Sequence, residues 1–267
     1  MVTVVIQGGL GNQLFQYAYG RALLELGNEV IFDVSFFDTN TKYTKRKYML
    51  GSFLLRKTIA TTSKGYAQKF LTRCINKIDV DRKIRYVPIK KSNDAYIADG
   101  YYNTEKYFVH IRDIILSEVV LLEESEKYKE WAEKIRSAHA PIILHARKTD
   151  YTGSGFANLS ERYYEEALTH FDEECPVFAF SDDISWLQKT LKRPITIVSG
   201  NGLTDYEELM LMSLGTNFII ANSTFSWWGA WLSQVKGKKV VAPKQWFTSK
   251  WWHRANRDVV PESWTRI

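Results

Sequence analysis

Four short stretches bring together residue types that handle phosphate, sugar hydroxyls or metal. His145-Ala146-Arg147-Lys148-Thr149-Asp150-Tyr151 closes an apolar run. Arg147 offers a planar fork of donors that can hold a diphosphate through two bonds and stabilise its charge as it leaves. Lys148 adds a point charge beside it, and Asp150 is placed to hold Arg147. The same letters also suit a surface cluster of salt bridges. Asp182 and Asp183 follow a second apolar run, Val177 to Phe180. Adjacent carboxylates there can ligate a divalent metal or cap the helix that begins at Ile184.

The other two stretches sit where a strand passes into a helix. Asn222-Ser223-Thr224-Phe225-Ser226 lies between Phe218-Ile219-Ile220-Ala221 and a tryptophan-rich helical pattern. The first N–H groups of such a helix lack intrahelical partners and carry the positive end of its dipole, so they suit phosphate. Ser and Thr serve equally as ordinary N-caps. Gly8-Gly9-Leu10-Gly11-Asn12-Gln13 also opens a helix, but a dinucleotide fingerprint needs glycine where the chain has Leu14. What is left is a loop in which Gly9, Gly11, Asn12 and Gln13 let a substrate approach the backbone, or a tight turn.

The elements that must hold these residues read as two α/β halves. Val2 to Ile6 forms a strand. A helix follows, with Leu14, Ala18, Ala22 and Leu26 in one stripe that Phe15, Tyr19 and Leu23 widen, stopped by Gly27, and Glu29 to Asp33 forms the next strand. Residues 35–93 are basic and weakly periodic, with helices and loops expected around Lys64 to Ile78. Ile97 to Tyr102 reads as a strand entering a functional loop, and helices are expected at 103–116 and 127–139. After Pro141, strands at 142–145, 177–180, 195–198, 218–221 and 239–242 alternate with helices at 162–171, 184–191 and 206–213. The expectation is two Rossmann-like domains with mostly parallel sheets, 1–139 and 140–267, hinged near residue 140.

Composition narrows the function classes without choosing one. With 267 residues, 45% hydrophobic and 25% charged, the chain reads as an ordinary globular protein. The net charge of +6 is concentrated at Lys42, Lys45, Arg46 and Lys47, and at Arg82, Lys83, Arg85, Lys90 and Lys91. Neither cluster is interleaved as a nucleic-acid motif would be, so no nucleic acid is expected; both suit an anionic or membrane-bound acceptor. Cys74 and Cys175, the only cysteines, fit a reducing compartment. No signal peptide or membrane-length apolar run is present, so a cytoplasmic location is expected, with contact at the inner face of the membrane. The high aromatic content, 14%, suits a filled core or a glycan-binding surface.

Two of these stretches, Gly8 to Ala18 and Ile220 to Leu232, resemble the N-terminal and C-terminal motifs of the glycosyltransferase family 11 fucosyltransferases. Asp99 to Phe108 and Glu208 to Ser213 extend the resemblance. His145, Arg147 and Asp150 match the His-x-Arg segment of that family and its relatives, and Lys148 and Thr149 depart from it. The resemblance implies a GT-B fold with residues 1–139 on the acceptor side and 140–267 binding GDP-fucose. It implies an inverting galactoside α-1,2-fucosyltransferase, with GDP-fucose a co-substrate, no cofactor and no metal. Arg147 would contact the donor pyrophosphate as the catalytic residue, and Asp182, or else Asp183, would bond the guanine. His145, Lys148, Asp150 and Asn222 to Ser226 would complete the donor site. Asp33, Asp38, Asp99 and Glu105 are all possible bases for the acceptor hydroxyl. The alternatives are another GDP-sugar transferase with a different linkage and a non-catalytic glycan-binding module.

Overall fold

The computed structural model describes residues 1–38, 46–55, 60–62, 86–148, 157–248 and 255–267. They fall into two compact units, Met1–Leu122 with Arg257–Val259, and Glu123–Asn256 with Val260–Ile267. The basic positions 42, 45, 82, 83 and 85, Cys74, Thr149, Asp150 and the helices expected around 64–78 lie outside the described residues.

The first unit is built on four short parallel strands, β1 (Val2–Val5), β2 (Val30–Asp33), β3 (Ala60–Thr62) and β4 (Tyr96–Ala98), in the order β3-β2-β1-β4. β3 comes from the weakly periodic stretch 35–93, where helices and loops are expected. Helix α1 (Leu10–Glu25) follows β1 and ends where Gly27 takes φ +79°, a left-handed value that glycine adopts without strain. The sequence suggests one apolar stripe on α1, but the helix is buried on nearly every side from Leu10 to Leu23. Its polar residues are satisfied in place. The fully buried Arg21 is paired with Glu118 at 2.9 Å and with Glu25 at 2.9 Å. At Gly20 an added Cβ would stand 2.4 Å from the Phe32 ring, so this position sets how closely α1 lies on β2.

The single helix expected over 103–116 is divided. Two 3₁₀ turns, Glu105–Tyr107 and Val109–Ile111, precede α2 (Arg112–Glu118). Phe108 leaves the helical region at φ −140°, and its buried ring packs edge-on to Phe15 at 5.9 Å.

In the second unit, β5 (Ile142–Ala146), β6 (Val177–Ser181), β7 (Ile195–Ile197), β8 (Asn217–Ile219), β9 (Lys239–Ala242) and β10 (Thr265–Arg266) form one parallel sheet. Its order is β10-β9-β8-β5-β6-β7. Counted within the unit this is the 3-2-1-4-5-6 arrangement of a doubly wound sheet. β5 and β6 are buried throughout, which is why they read as continuous apolar runs. Between the strands run α4 (Glu161–Leu168), α5 (Ile184–Thr190), α6 (Asp205–Met212) and α7 (Thr224–Leu232). Helix α3 (Glu126–Ser137) belongs to this unit, since Glu207 of α6 accepts the Ser125 N–H at its start. The division between the units therefore falls at Leu122/Glu123, not near residue 140.

Helices α6 and α7 approach closely at Gly229, where a Cβ would sit 2.6 Å from the Met212 Cβ. Trp227, Trp228 and Trp231 of α7 are buried against one another and against Trp264. The tryptophans of this motif are core, as the spacing of Trp228 and Trp231 suggests. Among the described residues no helix is long and apolar enough to cross a membrane.

Candidate functional site

The pairing of β5 with β6 builds the centre of the site. His145 lies opposite Phe180 and Ala146 opposite Ser181, so the next residues, Arg147 and Asp182, emerge side by side at the carboxyl ends of both strands. Arg147 Nε stands 3.2 Å from Asp182 Oδ2. The other carboxylate oxygen, Oδ1, accepts the Lys148 backbone N–H at 2.9 Å. Asp182 thus holds Arg147, the task expected of Asp150, and leaves the guanidinium side chain 26% exposed at the strand end.

Lys148 is turned into the protein. Its ammonium donates to the Leu159 carbonyl at 2.7 Å and to Asn158 Oδ1 at 3.3 Å. It also lies 4.0 Å from the centre of the Trp186 ring. Burial lowers its pKa, against the opposing pull of Asp183 and Asp182. Asp183 caps α5, Oδ1 accepting the Trp186 N–H at 2.9 Å and the Ser185 hydroxyl at 2.9 Å. Those bonds hold its carboxyl below the usual range. Among the described residues no group of three or more His, Cys, Asp or Glu side chains is placed to hold a metal ion.

His145 lies beneath this arrangement, buried, with Nδ1 lacking a hydrogen-bond partner and its ring 5.8 Å from that of Phe225. Burial, reinforced by the nearby Arg147 charge and offset in part by Asp182, pushes its pKa down to about 3. The imidazole is therefore neutral and adds no charge to compete with Arg147 for an anion.

β5 and β8 are neighbours in the sheet yet lead into helices on opposite sides of the strand order, and ligands of open α/β sheets bind at such a switch point. The N-terminus of α7 opens there. Ser223 caps it, its hydroxyl accepting the Phe225 N–H at 3.4 Å. Ser226 is buried and its hydroxyl donates to the Ser223 carbonyl at 3.4 Å. Asn222 is fully buried, with Nδ2 donating to the Ala157 carbonyl at 2.7 Å and the Trp246 carbonyl at 3.0 Å, so it ties two loops beneath the helix. Thr224 and Phe225 are the half-buried residues that the helix start presents.

Glu208 of α6 was not singled out from sequence, where it reads as one acid in the first turn of a helix. Its Oε2 accepts the Ser199 hydroxyl at 2.8 Å, and Ser199 Oγ accepts the N–H of Ser181, the residue just before Asp182. Burial pushes the Glu208 carboxyl up to about 7.

The glycine loop of the first unit lies at its own switch point, between β1 and β4. Gly9 is the N-cap of α1, its carbonyl accepting the Asn12 and Gln13 N–H groups at 2.9 and 3.0 Å. Gln13 is fully buried and donates to the Gly8 and Lys47 carbonyls, at 3.0 and 2.8 Å, so it clamps the loop. Gly11 is buried, and Asn12 is the half-buried side chain of the group. Of the four acids considered as bases, Asp33 is only 1% exposed and its Oδ1 accepts the Ser35 N–H at 2.9 Å. Asp38 is exposed beyond a 3₁₀ turn, and Glu105 lies in the charge field of Arg112. Asp99 is half-buried at the end of β4.

Two parallel α/β units of this kind, the second with an arginine and a helix N-terminus at its switch point, define a GT-B-like glycosyltransferase. Residues 79–267 match glycosyl transferase family 11, and the chain belongs to that family. It is 30% identical to the O-antigen biosynthesis glycosyltransferase WbnK of Escherichia coli, over 91% of this chain and 93% of that protein. It is 27% identical to an alpha-1,2-colitosyltransferase of Escherichia coli, over 100% of this chain and 99% of that protein. Among solved structures, the fucosyltransferase NodZ from Bradyrhizobium superposes with a TM-score of 0.55 at 12% identity, over 86% of this chain and 92% of that one. NodZ alpha-1,6-fucosyltransferase co-crystallized with GDP gives 0.54 at 14% identity, over 86% and 91%. At such identities the likeness is one of fold.

Proposed function

We propose that this glycosyltransferase is an inverting α-1,2-fucosyltransferase, moving L-fucose from GDP-β-L-fucose to a galactose hydroxyl of a bacterial glycan. The observation that carries this reading is Arg147, held by Asp182 beside the N-terminus of α7 at the β5/β8 switch point. In a single displacement through an oxocarbenium-like state, negative charge grows on the departing GDP. A fixed guanidinium and the first N–H groups of α7 are suited to take up that charge. We assign nucleoside recognition to Asp182, or else Asp183, with Glu208 behind them, two hydrogen bonds from the Ser181 backbone through Ser199. Lys148 and Asn222 then brace the site. We read the reaction as independent of metal and cofactor, because Asp182 orients Arg147 and Asp183 caps α5.

The end-to-end match to a colitosyltransferase supports a second donor, GDP-linked colitose, which is fucose without its 3-hydroxyl. Incubation with each GDP-sugar and a panel of galactose-terminated glycans, followed by linkage analysis, separates the two. Transfer from GDP-fucose forming an α-1,2 linkage is expected, without loss in excess EDTA. Exclusive use of colitose, or of another hydroxyl, overturns the reading. We place the enzyme in the cytoplasm at the inner face of the membrane, a placement that the basic clusters support and that membrane fractionation checks.

A further inference from the structure

The positive charge of the chain has one main source. Of its 36 Lys and Arg, ten fall in residues 39–78, where none of its 30 Asp and Glu falls, so the rest of the chain is acidic on balance. A run of cations with no anion among them attracts an anionic partner. Residues 46–55, inside that run, show what accompanies the charge.

This loop of the first unit is held firmly. The fully buried Gln13 donates to the Lys47 carbonyl at 2.8 Å, and its Oε1 accepts the Met49 N–H at 2.9 Å. Leu50 is buried in the 3₁₀ turn Leu50–Ser52, and the Tyr48 ring lies 3.7 Å from a Cβ placed at Gly51. A short antiparallel ribbon follows, in which Phe53 bridges to Leu121. The Leu54 N–H donates to the Val120 carbonyl at 2.7 Å, and the Leu122 N–H to the Ser52 carbonyl at 3.0 Å.

Side chains of such a ribbon alternate between its two faces. Phe53 and Val119 point inward and are buried. Leu54, Val120 and Leu122 share the other face, 49%, 43% and 53% exposed. The outward face of an antiparallel pair usually carries polar residues, so three large aliphatic side chains together there mark an interaction surface. Tyr48, 40% exposed, adds a ring with a polar tip, and its neighbours Arg46 and Lys47 are exposed. Glu123 and Glu124 follow Leu122 in the sequence, so the cations of this face come from the 46–55 side.

We propose that this face docks on an anionic lipid surface. Leu54, Val120 and Leu122 enter the headgroup layer, Tyr48 lies at its boundary, and Arg46 and Lys47 meet the lipid phosphates. Lipid is favoured over other anions because the apolar and basic signals coincide. A nucleic acid or a free phosphate offers nothing to three aliphatic side chains. Such docking rests on the membrane placement proposed above, to which it gives a face and a lipid class.

Cosedimentation of the full chain with vesicles tests it. Vesicles of phosphatidylcholine mixed equally with phosphatidylglycerol should bind the protein, and phosphatidylcholine alone should not. Raising salt from about 0.1 to about 1 M should weaken binding at least about tenfold, because screening shortens the reach of the charges. Leu54→Ser combined with Val120→Thr should weaken it at least about tenfold, and Lys47→Ala about fivefold, through lost apolar area and one lost cation. Melting temperatures should be unchanged and transfer to a soluble acceptor should stay within about twofold of wild type, as for surface substitutions away from a site. Leu122→Ser repeats the apolar test should the double variant fail to fold. No binding to the anionic vesicles, equal binding to neutral ones, or undiminished binding by a folded apolar variant overturns the proposal. A dimer that the apolar variants abolish, without vesicle binding, overturns it in favour of a second copy of the chain. Binding of a single-stranded oligonucleotide in place of vesicles overturns it in favour of nucleic acid. Cell fractionation separates this face from the placement it rests on. Wild-type protein in the soluble fraction despite vesicle binding refutes the placement alone, whereas membrane-bound protein that the folded apolar variants do not release refutes the face alone.

Discussion

Arg147 and Asp182 stand 3.2 Å apart because β5 and β6 end in register, and the same carboxylate also receives the Lys148 N–H. The arginine is oriented before any ligand arrives, which lowers the entropy lost when it meets a diphosphate. Arg147→Ala should reduce the transfer rate at least about 100-fold, as loss of a donor aimed at developing charge does. Asp182→Asn, which keeps the shape but weakens the hold on Arg147, should cost less, about tenfold. Steady-state kinetics check both, and near-normal turnover by Arg147→Ala would remove it from the chemistry.

Lys148 makes the opposite case. With its ammonium on the Leu159 carbonyl and over Trp186, Lys148→Met should cost about 1–3 kcal/mol of stability through a lost charged hydrogen bond. GDP affinity should stay within about threefold of wild type. A large loss of GDP affinity without loss of stability, measured by calorimetry and urea unfolding, would return Lys148 to the donor.

Two buried groups set opposing dependences of stability on pH. His145 is neutral when folded down to about pH 3, while in the unfolded chain it takes up a proton near 6.5. Its contribution is therefore lost as pH falls below 6.5. Glu208 keeps its proton up to about pH 7 when folded but releases it near 4.5 when unfolded, so its contribution is present below 4.5 and lost as pH rises through 7. Between pH 4.5 and 6.5 the two offset each other. Glu208→Gln should therefore show a melting temperature that rises by about 5 °C across that window, and His145→Gln one that falls. Parallel profiles for both variants would contradict these environments.

Gly229 allows α6 and α7 to touch. Gly229→Ala puts a methyl 2.6 Å from the Met212 Cβ and should destabilise by about 1–3 kcal/mol, although alanine is the better helix former. Denaturant unfolding gives the sign directly.

β5, β6 and β8 of the second unit were legible because fully buried parallel strands read as unbroken apolar runs, whereas β10, two residues that are not buried, gave no such run; Asp183 and Ser223 sat at the expected helix starts. The family was legible too, from blocks at both ends of the chain. What the letters could not say was where each carboxylate would turn. Asp182 went to Arg147 because of strand register, a relation between residues distant in sequence. α1 misled as a one-sided helix because its polar residues, Gln13, Gln16 and Arg21, are buried and bonded to groups supplied by remote loops and α2. β3 is three residues long in a basic stretch, too short for any period to emerge.

Among the described residues all seven tryptophans, from Trp131 to Trp264, belong to the second unit, and residues 1–122 and 257–259 contain none. Intrinsic indole emission is consequently a private reporter of the half that carries Arg147, silent about the half that carries Asp99. Unfolding followed at once by that emission and by far-ultraviolet circular dichroism will show one transition if the halves melt as a single cooperative body, and two if each keeps its own.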